Sequence, residues 1–150
     1  MTIYLLIRDM MNLNVRNKEG NTALLKVIKD AMSEITQCRL RDDKIAIIKC
    51  IDTLIGQMDE LVHCGASVNL YDRNYNTPLM VLATCPEAIK AVRYLCQMGA
   101  TQFWVNGEGR DAIDEARLHK ASDIAKYLES VRLKQVEVYE IKSENWNKIL

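Results

Sequence analysis

The sequence predicts an all-α chain assembled from repeated helix-turn-helix units. Three observations carry that expectation. A turn-then-cap pattern recurs three times without gaps, and glycine follows two of the intervening apolar stretches. Only two prolines and six glycines punctuate the 150 residues, so long stretches can stay helical. A chain of this length buries a sufficient core as one domain without disulfides or metals. Its residues are 49% apolar and 27% charged, a globular and not a disordered balance.

The recurring segments are NVRNKEGNTALLKVI (14–28), NLYDRNYNTPLMVLA (69–83) and FWVNGEGRDAIDEAR (103–117). Each carries Asn or Asp at its fourth position: Asn17, Asp72 and Asn106. Such a side chain folds onto the backbone two residues on and tolerates turn dihedrals. Gly20 and Gly109 supply a permissive backbone position within the turn. Thr22, Thr77 and Asp111 then stand where a helix cap is needed. Ala23-Leu24, Pro78-Leu79 and Ala112-Ile113 follow, a first helical residue and the start of a buried stripe. Proline suits that first position because its missing amide proton has no partner there anyway.

A second signature ends the units. LVHCGASVN (61–69) and YLCQMGATQF (94–103) run a helix into Gly65-Ala66 and Gly99-Ala100. Glycine in that place is the usual left-handed helix stop. The unit therefore reads turn, helix, short loop, helix, glycine stop. Thr77 and Asp111 lie 34 positions apart, close to the 33-residue period of one repeat class.

These residues resemble the ankyrin-repeat family. NTPL at Asn76–Leu79 and GASVN at Gly65–Asn69 are the most specific marks, and GEGRDAIDEA (107–116) looks like a divergent late repeat. The resemblance covers roughly residues 1–132. It departs from the family pattern at Leu25, Met80 and Asp114, where His often follows the Pro-Leu step, and at Tyr75, where the turn prefers Gly. It implies a solenoid of about three repeats plus an N-terminal half-repeat. The divisions are a half-repeat cap (1–13), a long repeat (14–66), two further repeats (67–100 and 101–132) and a C-terminal tail or cap (133–150). By the same resemblance, hairpin tips and first helices form a concave face that binds a partner protein. The first tip then offers Arg16, Lys18, Glu19 and Asn21. The second offers Tyr71, Arg73, Asn74, Tyr75 and Asn76, and the third Trp104, Val105, Glu108 and Arg110. Tyr, Trp and Arg have the character of interface anchors.

IYLLIRDMMNLN (3–14) aligns with the second helix and stop of a unit whose first helix is absent. Two readings stay open: an atypical end cap, or a piece of a longer array. The first full repeat is long, with 43 positions from Thr22 to Gly65 against 22 from Thr77 to Gly99. Helical spacing holds through Leu24, Ile28, Ala31, Met32 and Ile35 to about Thr36. It resumes through Ile45, Ile48, Ile51, Ile55, Met58 and Val62, from about Asp43 to Cys64. Two lengthened antiparallel helices are expected, with a polar tip at Arg39, Arg41, Asp42, Asp43 and Lys44. The tip reads as a solvated turn or as a protruding docking finger. The third repeat closes with Ser122–Val131, carrying Ile124, Tyr127, Leu128 and Val131 on one face. Residues 136–141 are open between strand and helix. Trp146, Ile149 and Leu150 either seal the last repeat or dock on another chain.

Enzyme readings find little support. His63 and His119 stand near helix ends, where imidazole covers terminal carbonyls. No Gly-x-x-x-x-Gly-Lys phosphate loop is present, and Gly107-Glu108-Gly109 belongs to a repeat turn. Five cysteines without a Cys-x-x-Cys pair read as reduced, packed thiols in a cytoplasmic-type compartment, with no metal or cofactor implied. Twenty basic and twenty acidic residues cancel, which gives no broad pull on nucleic acid or acidic membrane. No apolar run approaches the roughly 20 residues of a membrane span, and the first residues lack a secretory leader's basic start. The expected function is a non-catalytic protein-interaction module, a scaffold that acts through its tips, first helices and long helix pair. The alternatives are a subunit that self-associates through its half-repeat or tail, and a pathogen effector or host-range ankyrin protein acting in host cytoplasm.

Overall fold

The computed structural model describes residues 12–149, with side chains through Gln135. Among these residues there are six helices and no strand. They are α1 (Ala23–Leu40), α2 (Lys44–His63), α3 (Pro78–Ala83), α4 (Ile89–Gln97), α5 (Ala112–Leu118) and α6 (Ser122–Ile149), with a 3-10 turn at Pro86–Ala88 before α4.

The caps start the helices where the pattern places them. Thr22 accepts from the Leu25 amide at 3.3 Å and Thr77 from the Met80 amide at 3.3 Å. Asp111 and Asp114 bond each other's backbone amides in a reciprocal capping box. Asp43 caps α2 through the Ala46 amide at 3.0 Å.

Each helix packs on its chain neighbour: α1 on α2, α3 on α4, α5 on α6. The first members also pack in sequence, α1 on α3 on α5, as do the second members, α2 on α4 on α6. Two layers of helices result, with the apolar core between them. Leu24, Ile28 and Ile35 of α1 meet Leu54 and Met58 of α2, and Leu79, Leu82, Leu95, Ile124 and Leu128 extend the same core. All ten are at most 1% exposed, so each contributes about 1.5–3 kcal/mol of apolar transfer.

Four helices end in the same hydrogen-bond pair. Ala66 N–H reaches Leu61 O at 2.9 Å and Gly65 N–H reaches Val62 O at 3.1 Å. The matching pairs are Ala100 to Leu95 with Gly99 to Cys96, Ala121 to Ala116 with Lys120 to Arg117, and Asp43 to Cys38 with Asp42 to Arg39. The motif needs a left-handed residue after the cap. Gly65 and Gly99 supply it at φ 103° and 94°, but Asp42 and Lys120 adopt it at φ 52° and 59° with a Cβ in place. The glycine signal therefore marks two of the four stops, and backbone bonding enforces the others.

The first pair is long, as its spacing requires. α1 has 18 residues and α2 has 20, against 6 in α3 and 9 in α4. The excess of 12 and 11 residues is about three turns. α1 runs four residues past Thr36 because Cys38, 2% exposed, continues the buried stripe after Ile35. The expected stripe of α2 divides. Ile51 and Met58 are buried, whereas Ile45 and Ile48 are 68% and 58% exposed and Ile47 is buried in their stead. The short α3–α4 pair does not cover those two isoleucines.

α6 continues unbroken past Val131 to Ile149, and residues 136–141 are helical. The expected half-repeat at 1–13 lies outside the described residues up to position 11, as do the side chains of Trp146, Ile149 and Leu150.

Lys120→Gly removes a left-handed β-carbon at an exposed stop. It raises unfolding stability by about 1 kcal/mol, read as a rise of about 2–4 °C in Tm by calorimetry.

Candidate functional site

The three turns share one bonding pattern. Asn17 Oδ1 accepts from the amides of Glu19 and Asn21, both at 3.0 Å. Asp72 Oδ1 accepts from Asn74 and Asn76, both at 2.9 Å, and Asn106 Oδ1 from Glu108 and Arg110, both at 3.0 Å. The backbone closes each tip in the same register: Asn17 to Asn21, Asp72 to Asn76, Asn106 to Arg110. A left-handed residue turns the chain at Gly20, Tyr75 and Gly109, with φ 83°, 63° and 75°. At Gly20 a β-carbon would also lie 2.5 Å from Cγ of Arg73, which crosses that turn.

Side chains then tie each unit to the next. Asn14 accepts from the Ser67 amide at 2.7 Å and donates to Gly65 O at 3.4 Å. Asn69 repeats this with Thr101 at 3.0 Å and Gly99 at 3.3 Å. Lys29 Nζ bridges Asn21 Oδ1 at 2.7 Å and Asp72 Oδ2 at 2.8 Å. Asn106 Nδ2 donates to Asn76 Oδ1 at 2.9 Å and to buried Glu115 at 2.8 Å, and Arg110 Nε meets the same Glu115 oxygen at 2.8 Å. Gly107 N–H reaches Asn74 O at 2.9 Å. Arg16 donates to Tyr71 O at 2.9 and 3.2 Å, and Arg73 donates to Lys18 O. The tips thus form a fixed row.

On that row Tyr71, Tyr75, Trp104 and Val105 converge, with Thr77 at the base, around a shallow cleft of about 270 Å³. The two tyrosine rings lie 5.3 Å apart, and the Arg16 guanidinium sits 5.1 Å from the Tyr71 ring. Tyr75, Trp104 and Val105 are each more than half exposed. Arg16 borders the cleft through Tyr71, and Arg73 reaches from the second tip to the Lys18 carbonyl of the first; all three cations are exposed and bonded to carbonyls or to nothing charged. Glu19 and Asn74 are also exposed on the tips.

Other expected contacts are engaged within the fold. Asn21 is 6% exposed and holds Lys29. Asn76 is half-buried with its carbonyl engaged by Asn106. Arg110 pairs with both Glu115 and Glu108, which also occupies the Glu108 carboxylate. The sequence pattern placed all four on a hairpin; it carried no sign of these bonds.

A second surface lies along the long pair. Ile47, Ile48, Ile51 and Ile89 line an apolar groove of about 430 Å³ rimmed by Lys44, Asp52 and Lys90. Leu40 and Ile45, 78% and 68% exposed, stand at the protruding end. One wall is braced by Arg39, which forms a two-pronged bond to Glu87 and donates to Cys85 Sγ at 3.3 Å. That Arg39 bond lowers the Glu87 carboxyl to about 2 against the cost of burial. Burial pushes the Cys85 thiol to about 12, and Cys50 and Cys96 to about 11. These thiols stay protonated at neutral pH, which suits packing and not nucleophilic attack. Each histidine places Nδ1 against the carbonyl four residues back, His63 on Asp59 at 2.8 Å and His119 on Glu115 at 2.9 Å. Among the described residues no three His, Cys, Asp or Glu side chains converge as a metal set. None of their helices is long and apolar enough to cross a membrane.

No protein-family model matches the chain, and no curated protein matches it.

Burial opposes ionisation of Asp72, yet Lys29 and the amides of Asn76 and Asn74 outweigh it and hold the carboxyl below 3.8. Asp111 is likewise lowered: burial raises it, and the Asp114 amide and Arg132 win. These groups and Glu87 bind protons more tightly in the unfolded chain. Their stabilisation is complete above about pH 5 and is lost as pH falls through the lower folded values. Asp72→Asn keeps the turn bonds but loses the ion pair. It costs about 1–2 kcal/mol at pH 7, and urea melts show its deficit against the parent shrinking by pH 3.

Tyr75→Gly relieves the one bulky left-handed residue on a tip. It gains about 1 kcal/mol of stability, measurable by the same melts at pH 7.

Proposed function

We propose that the chain is a divergent ankyrin-repeat solenoid, a non-catalytic module that holds a partner protein on its row of hairpin tips. The fold reading is supported by the triplicated turn bonding, the Asn14 and Asn69 links one unit apart, and the layered pairing of first with first and second with second helices. The resemblance in NTPL and GASVN points the same way. Repetition of this kind builds extended recognition surfaces.

One observation carries the functional reading. Tyr75 keeps a strained left-handed backbone, where glycine stands in the other two tips, and its exposed ring joins Tyr71 and Trp104 around a cleft. Backbone strain that persists with an exposed aromatic ring is best explained by recognition. Exposed Tyr and Trp clustered beside Arg have the composition of a binding hot spot. The long helix pair adds a second contact surface through its isoleucine groove, and an insertion on a regular array is a natural place for partner choice. The unpaired, packed thiols suit a reducing cytoplasm.

Affinity capture from a native lysate tests this. Trp104→Ala lowers recovery of the captured partner by about tenfold or more, the size of a hot-spot loss, while its circular dichroism matches the parent. Undiminished capture by a folded Trp104→Ala would refute the tip-row reading.

A further inference from the structure

The row of tips is chemically graded. At one side stand Lys18 and Arg73, both exposed, with the Arg73 guanidinium on a backbone carbonyl and no carboxylate against it. Arg16 comes next and lies over the Tyr71 ring at 5.1 Å. Tyr71, Tyr75, Trp104 and Val105 follow around the cleft. The acids close by are largely committed: Asp72 is buried on Lys29, and Glu108 is paired with Arg110. Glu19 remains exposed, so the first two tips keep three cations against one free anion beside the apolar cleft.

We propose that the cleft takes an extended acidic segment of a partner protein, with proline and aliphatic residues against Tyr71, Tyr75 and Trp104 and carboxylates toward Arg16, Lys18 and Arg73. This rests on the module reading above and names the partner's chemistry. Aromatic-lined shallow grooves favour the stiff, preformed polyproline geometry, because little chain entropy is lost on binding. Carboxylates are drawn to guanidinium groups that keep free N–H donors. A stacked nucleic acid base fits less well. Tyr71 has a guanidinium over its ring and leans on Tyr75 at an interplanar angle of 35°, so the pair presents edges and a cleft wall, not open parallel platforms.

Fluorescence anisotropy with the full chain decides the matter, using a labelled decapeptide of three glutamates followed by a Pro-Pro-Leu-Pro core. Saturable binding is expected, weakened about tenfold when lysines replace the glutamates and about tenfold when serines replace the prolines. Lys18→Glu weakens it about fivefold, in a salt-dependent way. Tyr75→Gly weakens it about tenfold while raising Tm, a combination that loss of fold cannot produce. No binding up to millimolar peptide, binding indifferent to the glutamate-to-lysine exchange, or tighter binding of a ten-residue thymidine oligonucleotide would each overturn the proposal. If lysate capture depends on Trp104 yet the peptide does not bind, the partner chemistry is wrong and the module reading stands. If capture also ignores Trp104, both fail.

Discussion

The structure depends on one side chain in each turn that satisfies the backbone of its own tip and, in the second and third turns, reaches for the unit before it. A hairpin packed against its neighbour has amides that water cannot serve, and an unpaired buried amide is costly. Asp72 answers two of them with one oxygen and gives its other oxygen to Lys29 of the preceding helix. Asn106 does the same with its oxygen, while its nitrogen reaches Asn76 of the preceding tip and Glu115 of its own unit. Local turn geometry and the register between units are therefore set by the same atoms. The core supplies most of the free energy, but it would tolerate sliding; directional bonds of this kind fix which tip stands beside which. The cleft exists because that register puts Trp104 next to Tyr75.

Much of this was legible in the sequence because it is local. Asn or Asp, a cap five positions on and a glycine after the helix act within a few residues, and they recur at Asn17, Asp72 and Asn106. The length of the first helix pair was legible for a similar reason, since apolar spacing is a local periodicity. What could not be read is what depends on neighbours far along the chain. Lys29 finds Asp72 across 43 positions and Arg39 finds Glu87 across 48. Asn21 looked like a tip residue and is buried, held by the same Lys29 that binds Asp72 of the next unit. Ile45 and Ile48 kept core spacing, but burial needs a partner helix as well as a pattern, and the short α3–α4 pair leaves them exposed. The stops at Asp42 and Lys120 carry no glycine to announce them.

Strain separates the residues held for the fold from those held for another reason. Three non-glycine residues among those described adopt positive φ. Aspartate visits that region at small cost, so Asp42 is unremarkable at a polar tip. Lys120 closes a helix through two backbone bonds, and its exposed side chain needs no further account. Tyr75 differs because an aromatic ring is poorly suited to the left-handed region and the two sister turns use glycine. Its ring touches Tyr71 and the cleft and is not pulled into the core. A sequence that breaks its own repeated rule at an exposed aromatic position is what motivates the proposed recognition role.

The two apolar surfaces lie toward opposite ends of the helices. The cleft belongs to the second and third tips, and the isoleucine groove lies toward the end of α1 that finishes at Leu40. With 18 residues at 1.5 Å per residue, α1 runs about 27 Å away from the row of tips. A partner segment would need roughly eight extended residues merely to run the length of that helix. The surfaces are also unlike in kind: one is aromatic and graded in charge, the other aliphatic with a rim of both signs. The stiff, extended segment proposed above suits the first, because little chain entropy is lost against its shallow walls. The second has the length and apolar wall that a folded element, such as a helix, can fill. A partner using both would gain through linkage, since the second contact becomes intramolecular once the first is made. Lengthening a single helix pair thus adds a separate apolar surface without disturbing the bonded row of tips.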